Sequence, residues 1–195
     1  MKKAVFLFLT IFTLNALKAQ KPHFGFKGGL NVTNLVYKNA DGTDYKAGFH
    51  AGLVSHIHAA HNFAIQPEVF YSQQGGIREV GNDDYKLKLN YINVPVLAQY
   101  MFGKGYRIEA GPQVGFLLNA KDKYKNIEVN NDNYKAADWG LAVGFGYLSH
   151  SQIGVDLRWV FGLNNINKAR NGGTPTYNNG AQLGLFYQFD HRGLK

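Results

Sequence analysis

From Phe24 onward, apolar side chains recur at every second position, and the recurrence breaks at intervals of about ten residues where turn-forming residues gather. A repeat of two sends successive side chains to opposite faces of a strand, so each segment has one apolar and one polar face. The first sets Phe24, Phe26, Gly28, Leu30 and Val32 against Gly25, Lys27, Gly29, Asn31 and Thr33. The second sets Ala47, Phe49, Ala51, Leu53 and Ile57 against Gly48, His50, Gly52 and His56, and the third sets Phe63, Ile65, Val69 and Tyr71 against Gln66, Glu68 and Ser72. The fifth opposes Tyr106, Ile108, Ala110, Val114, Phe116 and Leu118 to Arg107, Glu109, Gly111, Gln113 and Gly115. The sixth opposes Trp139, Leu141, Val143, Phe145 and Tyr147 to Asp138, Gly140, Gly144 and Gly146. The seventh gives Ile153, Val155, Leu157, Trp159 and Phe161 against Gln152, Asp156 and Arg158, and the eighth gives Ala181, Leu183, Leu185, Tyr187 and Phe189 against Gln182, Gly184 and Gln188.

The fourth segment changes phase. Ile92, Val94, Val96, Ala98 and Tyr100 oppose Asn93, Leu97 and Gln99, whereas Leu87, Leu89 and Tyr91 have the other parity. A β-bulge near Tyr91 is expected to reconcile the two, and it would also accommodate Pro95, which has no N–H for the ladder.

Connections alternate in length. They are short at Ala59 to His61, Gly103 to Gly105 and Ser149 to Ser151, and long at Leu35 to Asp44, Gly75 to Lys86, Asn119 to Ala136 and Asn164 to Asn179. Aromatic residues gather at segment ends: Phe24, Phe63, Phe102, Tyr106, Tyr147 and Phe189 toward the short turns, and Tyr71, Phe116, Trp139, Trp159 and Phe161 toward the long loops. Short periplasmic turns, long external loops and two aromatic girdles are features of transmembrane barrels. The expected fold is all-β, an eight-stranded antiparallel up-and-down transmembrane β-barrel with both termini on the periplasmic side. A soluble lipocalin-like barrel would turn the apolar faces inward, around a ligand. Uncharged apolar faces and glycine-crowded polar faces favour lipid outside.

The inward set then carries Lys27, Glu68, Arg107, Glu109, Asp138, Asp156 and Arg158, with Gln66, Gln99 and Gln113. Isolated charges in so narrow a lumen are costly. They are expected to pair into a polar network that plugs the barrel, with glycines making room for the larger side chains.

The rest of the composition adds an address. Met1 to Gln20 has Lys2 and Lys3 before an apolar run from Ala4 to Leu14 and a small residue at Ala19. This reads as a signal peptide over residues 1–19, leaving 20–195 as one outer-membrane barrel domain. The apolar run is too short for a spanning helix, and without cysteine there is neither a disulfide framework nor a lipidation site. Three signal lysines account for part of the formal +8, so the remainder carries +5. No basic block suits nucleic acid.

Candidate chemistry is sparse. His56 and His58 share a strand face about 6.8 Å apart by strand rise, with His61 nearby. No carboxylate adjoins them, and the expected reading is a hydrated face at a short turn, without a metal. Ser149-His150-Ser151 reads as a turn rather than part of a catalytic triad, and Gly28-Gly29 and Gly144-Phe145-Gly146 lie within strands, where no nucleotide fingerprint belongs. No enzymatic activity or cofactor is expected; the expected role is envelope structure, adhesion or partner docking through the long loops, the alternatives being a component of a secretion or assembly complex, a small diffusion channel or a soluble ligand binder. The expected surroundings are outer-membrane lipid and lipopolysaccharide, whose phosphates the stretch Lys121 to Lys125 could meet, and long loops could serve an envelope protein partner.

Several local stretches carry a family resemblance. They are Lys46-Ala47-Gly48-Phe49, Gln66-Pro67-Glu68 followed by Tyr71-Ser72-Gln73, Ile92-Asn93-Val94-Pro95-Val96-Leu97, and Gly111-Pro112. Trp139-Gly140 to Gly146-Tyr147, and Asp156-Leu157-Arg158-Trp159 followed by Gly162-Leu163-Asn164-Asn165-Ile166, complete the set. Together, from about Phe24 to Phe189, they resemble the PorT-like outer-membrane β-barrel family of Bacteroidota, the "porin family", similar in architecture to small OmpX and OmpA barrels. The resemblance implies an outer-membrane barrel and brings no catalytic residues with it.

Overall fold

A computed structural model describes residues 22–38, 41–80, 83–124, 127–130, 133–168 and 174–189. The expected signal peptide, residues 1–19, and the residues after Phe189 lie outside the described residues. The elements are β1 (His23–Tyr37), β2 (Lys46–His58), β3 (Phe63–Val80), β4 (Asp83–Phe102), β5 (Tyr106–Tyr124), β6 (Ile127–Asn130), β7 (Ala137–Leu148), β8 (Ile153–Gly162) and β9 (Thr176–Gln188). Every pairing between them is antiparallel, each barrel strand bonds to its sequence neighbour in the ring, and β9 returns to β1 with Gly25 opposite Gln188. Eight strands form the ring. The ninth, β6, pairs only with the far end of β5, from Lys121–Asn130 to Tyr124–Ile127.

The outward faces are apolar through the middle of each barrel strand. Phe26, Leu30, Leu53, Leu157, Leu183 and Leu185 are each more than half exposed. Such a continuous apolar surface is a liability in water and the expected outer surface of a barrel in lipid. Rings pack edge to edge along its short-turn rim: Phe63 on Tyr100 (5.0 Å between centroids), Phe102 on Tyr106 (6.1 Å) and Tyr106 on Tyr147 (5.0 Å). Near the other rim, Phe49 packs on Tyr71 (5.6 Å) and Trp159 on Phe161 (6.2 Å), with Phe116 and Trp139 exposed beside them.

The phase change in β4 has another cause than the expected bulge in that strand. Leu87, Leu89, Tyr91, Asn93, Leu97 and Gln99 all face inward along an unbroken alternation. The extra residue belongs to the facing strand: Asn90 pairs with Asn119 and Tyr91 with Leu117, leaving Leu118 over. Inward positions in β5 accordingly pass from odd to even numbers, so that Ala120 is buried where Leu118 is exposed.

This matters because the surroundings change at the same height. Beyond the girdle level of Tyr71, Ile92 and Phe116, β3, β4 and β5 run on as paired strands where long loops were expected at Gly75 to Lys86 and Asn119 to Ala136. There the outward positions are Lys86, Lys88, Asn90, Lys121 and Lys123, and the inward ones include Leu87, Leu89 and Ala120, with Asp122 beside them. Water has replaced lipid outside, so the polarity of the two faces exchanges while the strand repeat continues. Lys88 donates to Glu128 of β6, which holds that carboxyl below its usual range, and Lys121 lies 3.7 Å from the same residue.

Leu35, Leu87, Leu89, Tyr91, Ala120 and Ile166 form one buried apolar cluster at this end, with Tyr37, Leu117 and Tyr134 packed against it. Ile166 reaches it from the β8–β9 connection, which asparagines splint. Asn165 Oδ1 accepts from the backbone N–H of Asn167 and of Thr176, both at 2.9 Å. Asn164 accepts from Trp139 N–H at 2.6 Å, and the Ile166 N–H donates to Thr176 O at 2.9 Å. Replacing fully buried Leu89 by Ala should lower the unfolding free energy by about 2–5 kcal/mol, whereas Lys88→Ala on the adjoining outward face should stay within about 0.5 kcal/mol. Equilibrium urea unfolding of the refolded protein in lipid vesicles measures both.

Candidate functional site

The lumen below the apolar cluster holds the charges. Arg158, on β8, is its centre: Nη1 and Nη2 donate to the two carboxylate oxygens of Glu68, each at 2.6 Å, and Nε donates to Glu109. Both of those carboxylates accept a second hydrogen bond, Glu68 from Gln66 and Glu109 from Gln99, each at 2.7 Å. Lys27 donates to Asp156 at 2.8 Å and stands 3.8 Å from Glu68, and Asp156 lies 3.6 Å from Arg158. All five charged side chains are within 1% of complete burial.

Five strands contribute to this one cluster, because inward positions of β1, β3, β4, β5 and β8 converge in a lumen only wide enough for side chains. Glycine supplies the room. A Cβ on Gly144 would lie 2.8 Å from Arg158 Cγ, and one on Gly184 would lie 2.7 Å from Lys27 Cε and 2.9 Å from Asp156 Oδ1. Two large aromatic side chains also share the interior. Phe70 lies across from Gly52, and Phe186 lies over Gly154, where a Cβ would come within 2.1 Å of its ring.

The other two inward charges stand apart. Asp138 accepts from Asn178 at 3.1 Å, and Asn178 also donates to Gln74. Arg107 lies nearer the short turns, buried, with its guanidinium 5.0 Å from the Phe186 ring centre and with no hydrogen-bond partner on Nε or Nη1. Between Asp138 and the ionic cluster lies a neutral layer that the pattern of charges did not reveal. In it Asn31 Nδ2 donates to Ser72 Oγ (2.9 Å) and Asn31 Oδ1 bonds His50 Nδ1 (2.7 Å).

The histidines near the first short turn divide. His56, expected on a hydrated face, is buried inside the lumen, because even-numbered positions of β2 face inward. Its ring stacks edge-on against His58 at 4.6 Å. Ser149 and Ser151 occupy the exposed β7–β8 turn, where their hydroxyls lie 2.6 Å apart.

A closed antiparallel ring with an apolar outer band, ringed by aromatics and filled with paired charges, defines a membrane β-barrel. Residues 18–168 match the family model for the outer membrane protein beta-barrel domain, and the chain belongs to that family, whose location is the outer membrane. No curated protein matches in sequence. Among solved structures it is similar to Neisserial surface protein A, with a TM-score of 0.60 at 10% identity over 87% of this chain and 100% of the other. It is also similar to Ail, the attachment invasion locus protein of Yersinia pestis, with a TM-score of 0.52 at 12% identity over 87% and 100% of the respective chains. At these identities the likeness is one of fold.

Arg158→Met leaves two buried carboxylates, Glu68 and Glu109, short of their main donor and should cost about 3–5 kcal/mol. Arg158→Lys should recover little of this, since an ammonium cannot bond two carboxylates through three fixed N–H positions. Urea unfolding, with the temperature at which the folded gel form disappears as a second readout, measures the difference.

Proposed function

We propose that this chain is a non-enzymatic outer-membrane barrel of the PorT-like kind. Its lumen is closed to ions, and its work is done by the projecting long-loop end. The observation that carries this reading is the double closure of the interior, by the Arg158-centred ionic cluster at mid-lumen and by the apolar cluster around Leu89 and Ile166 beyond it. An ion crossing the lumen would have to break both.

The projecting ends of β3, β4, β5 and β6 then form a paired-strand surface outside the lipid band. Long paired strands hold their shape better than loops and suit adhesion or docking to an envelope partner. Its lysines, Lys86, Lys88, Lys121 and Lys123, lie where lipopolysaccharide phosphates would be met on the external side. Ail, described as an attachment invasion locus protein, has the same fold and supports an adhesive role. After removal of residues 1–19 the barrel would insert with its short turns toward the periplasm.

Planar-bilayer recording tests closure: the purified barrel should insert without stable unitary conductance, and reproducible conductance steps would overturn the closed-lumen reading. For the projecting end, cutting β3–β6 back to the girdle level should preserve the heat-dependent gel shift of a folded barrel and abolish attachment of cells to surfaces. Unchanged attachment would count against an adhesive role.

A further inference from the structure

The lumen opens at the short-turn end into a cavity of about 420 Å³ between the β2–β3 and β4–β5 turns. Met101, Phe102 and Leu148 give it an apolar wall, His58 and His61 stand in it, and Arg107 lies at its inner end. We infer that this vestibule is a binding site for a small oxyanion, a carboxylate or phosphate group, held by Arg107.

Arg107 is the reason. It is 98% buried, yet Nε and Nη1 have no hydrogen-bond partner. The nearby carboxylates make no hydrogen bond to its Nε or Nη1: Glu68 and Glu109 accept from Arg158, Gln66 and Gln99, and Asp156 Oδ1 accepts from Lys27. Phe186 packs over the guanidinium, and the Arg107 side chain forms part of the vestibule lining. The other buried lumen cations, Lys27 and Arg158, are ion-paired, so Arg107 is the one buried Lys or Arg side chain among the described residues without a carboxylate partner. Guanidinium donors favour carboxylate and phosphate oxygens, and burial strengthens that attraction over its value in water. His58 and His61 line the same cavity and add ring nitrogens for a ligand larger than a single ion. The cavity takes a head group, and its apolar wall suits the first carbons of an attached chain.

The test uses the whole barrel in nanodiscs of zwitterionic lipid, so that no lipid headgroup carries net charge. Arginine Nε–H resonances are followed by NMR during titration with sodium phosphate and, separately, sodium acetate at constant ionic strength. The Arg107 resonance should move along a saturating curve with a millimolar midpoint while that of Arg158 stays still. The arm that saturates at lower concentration identifies the preferred head group. Arg107→Gln should weaken the response of the Gly105 and Leu148 amides by about tenfold or more. Leu148→Trp, which fills the vestibule without touching the guanidinium chemistry, should weaken it similarly and stands in should Arg107→Gln fail to fold. The inference is overturned if neither anion gives a saturating shift, or if Leu148→Trp responds as the parent does.

Discussion

In lipid no water competes for a backbone N–H or C=O, so every strand must find partners on both sides, and a sheet meets that demand only by closing on itself. The return of β9 to β1, with thirteen consecutive residue pairs from Gly25–Gln188 to Tyr37–Thr176, is therefore the condition on which the rest depends. Closure fixes the register of all eight strands at once. A slip of one residue in any of them would send Phe, Leu and Val into the lumen and Arg158 or Glu68 into lipid. The apolar outer band and the charged interior thus enforce the same register from opposite sides.

Closure also makes the interior small, and smallness decides what fills it. Arg158 can satisfy Glu68 and Glu109 together only because they arrive from different strands at one height, and that requires glycine wherever a neighbour's stem must pass. Paired charges of this kind need not add stability over a well-packed apolar filling. A polar inward face, however, cannot be mistaken for a lipid-facing one, so the charges keep the two faces distinct.

The strand repeat and the eight-strand ring could be read from the residues because a period of two against lipid leaves an unambiguous trace. The region beyond the girdle could not be read the same way. Lys86, Lys88, Lys121 and Lys123 look like a solvated loop when lipid is assumed on one side. In a strand surrounded by water they are simply the outer face, and Leu87 and Leu89 the inner one. The chain carries the alternation through both regions, and only the identity of the solvent changes its meaning. Tyr91 marks the crossover, and the extra residue at Leu118 lets β5 change phase beside a strand that does not.

Within the lumen, the charged residues were visible individually, but their partners were not, since contacts between Lys27 and Asp156 or Arg158 and Glu68 span 129 and 90 positions of sequence. Spacing along one strand says which face a residue occupies. Only the shear of the closed ring says which residues from other strands share its height. Arg107 and Arg158 illustrate the difference: both are inward arginines flanked by alternating apolar residues, and nothing local distinguishes them. Arg158 reaches the level where three strands deliver carboxylates, whereas Arg107 lies toward the short turns, against Phe186 and open space. The same residue type is a structural hub at one height of the barrel and an unmet donor at another, and the height is set by closure.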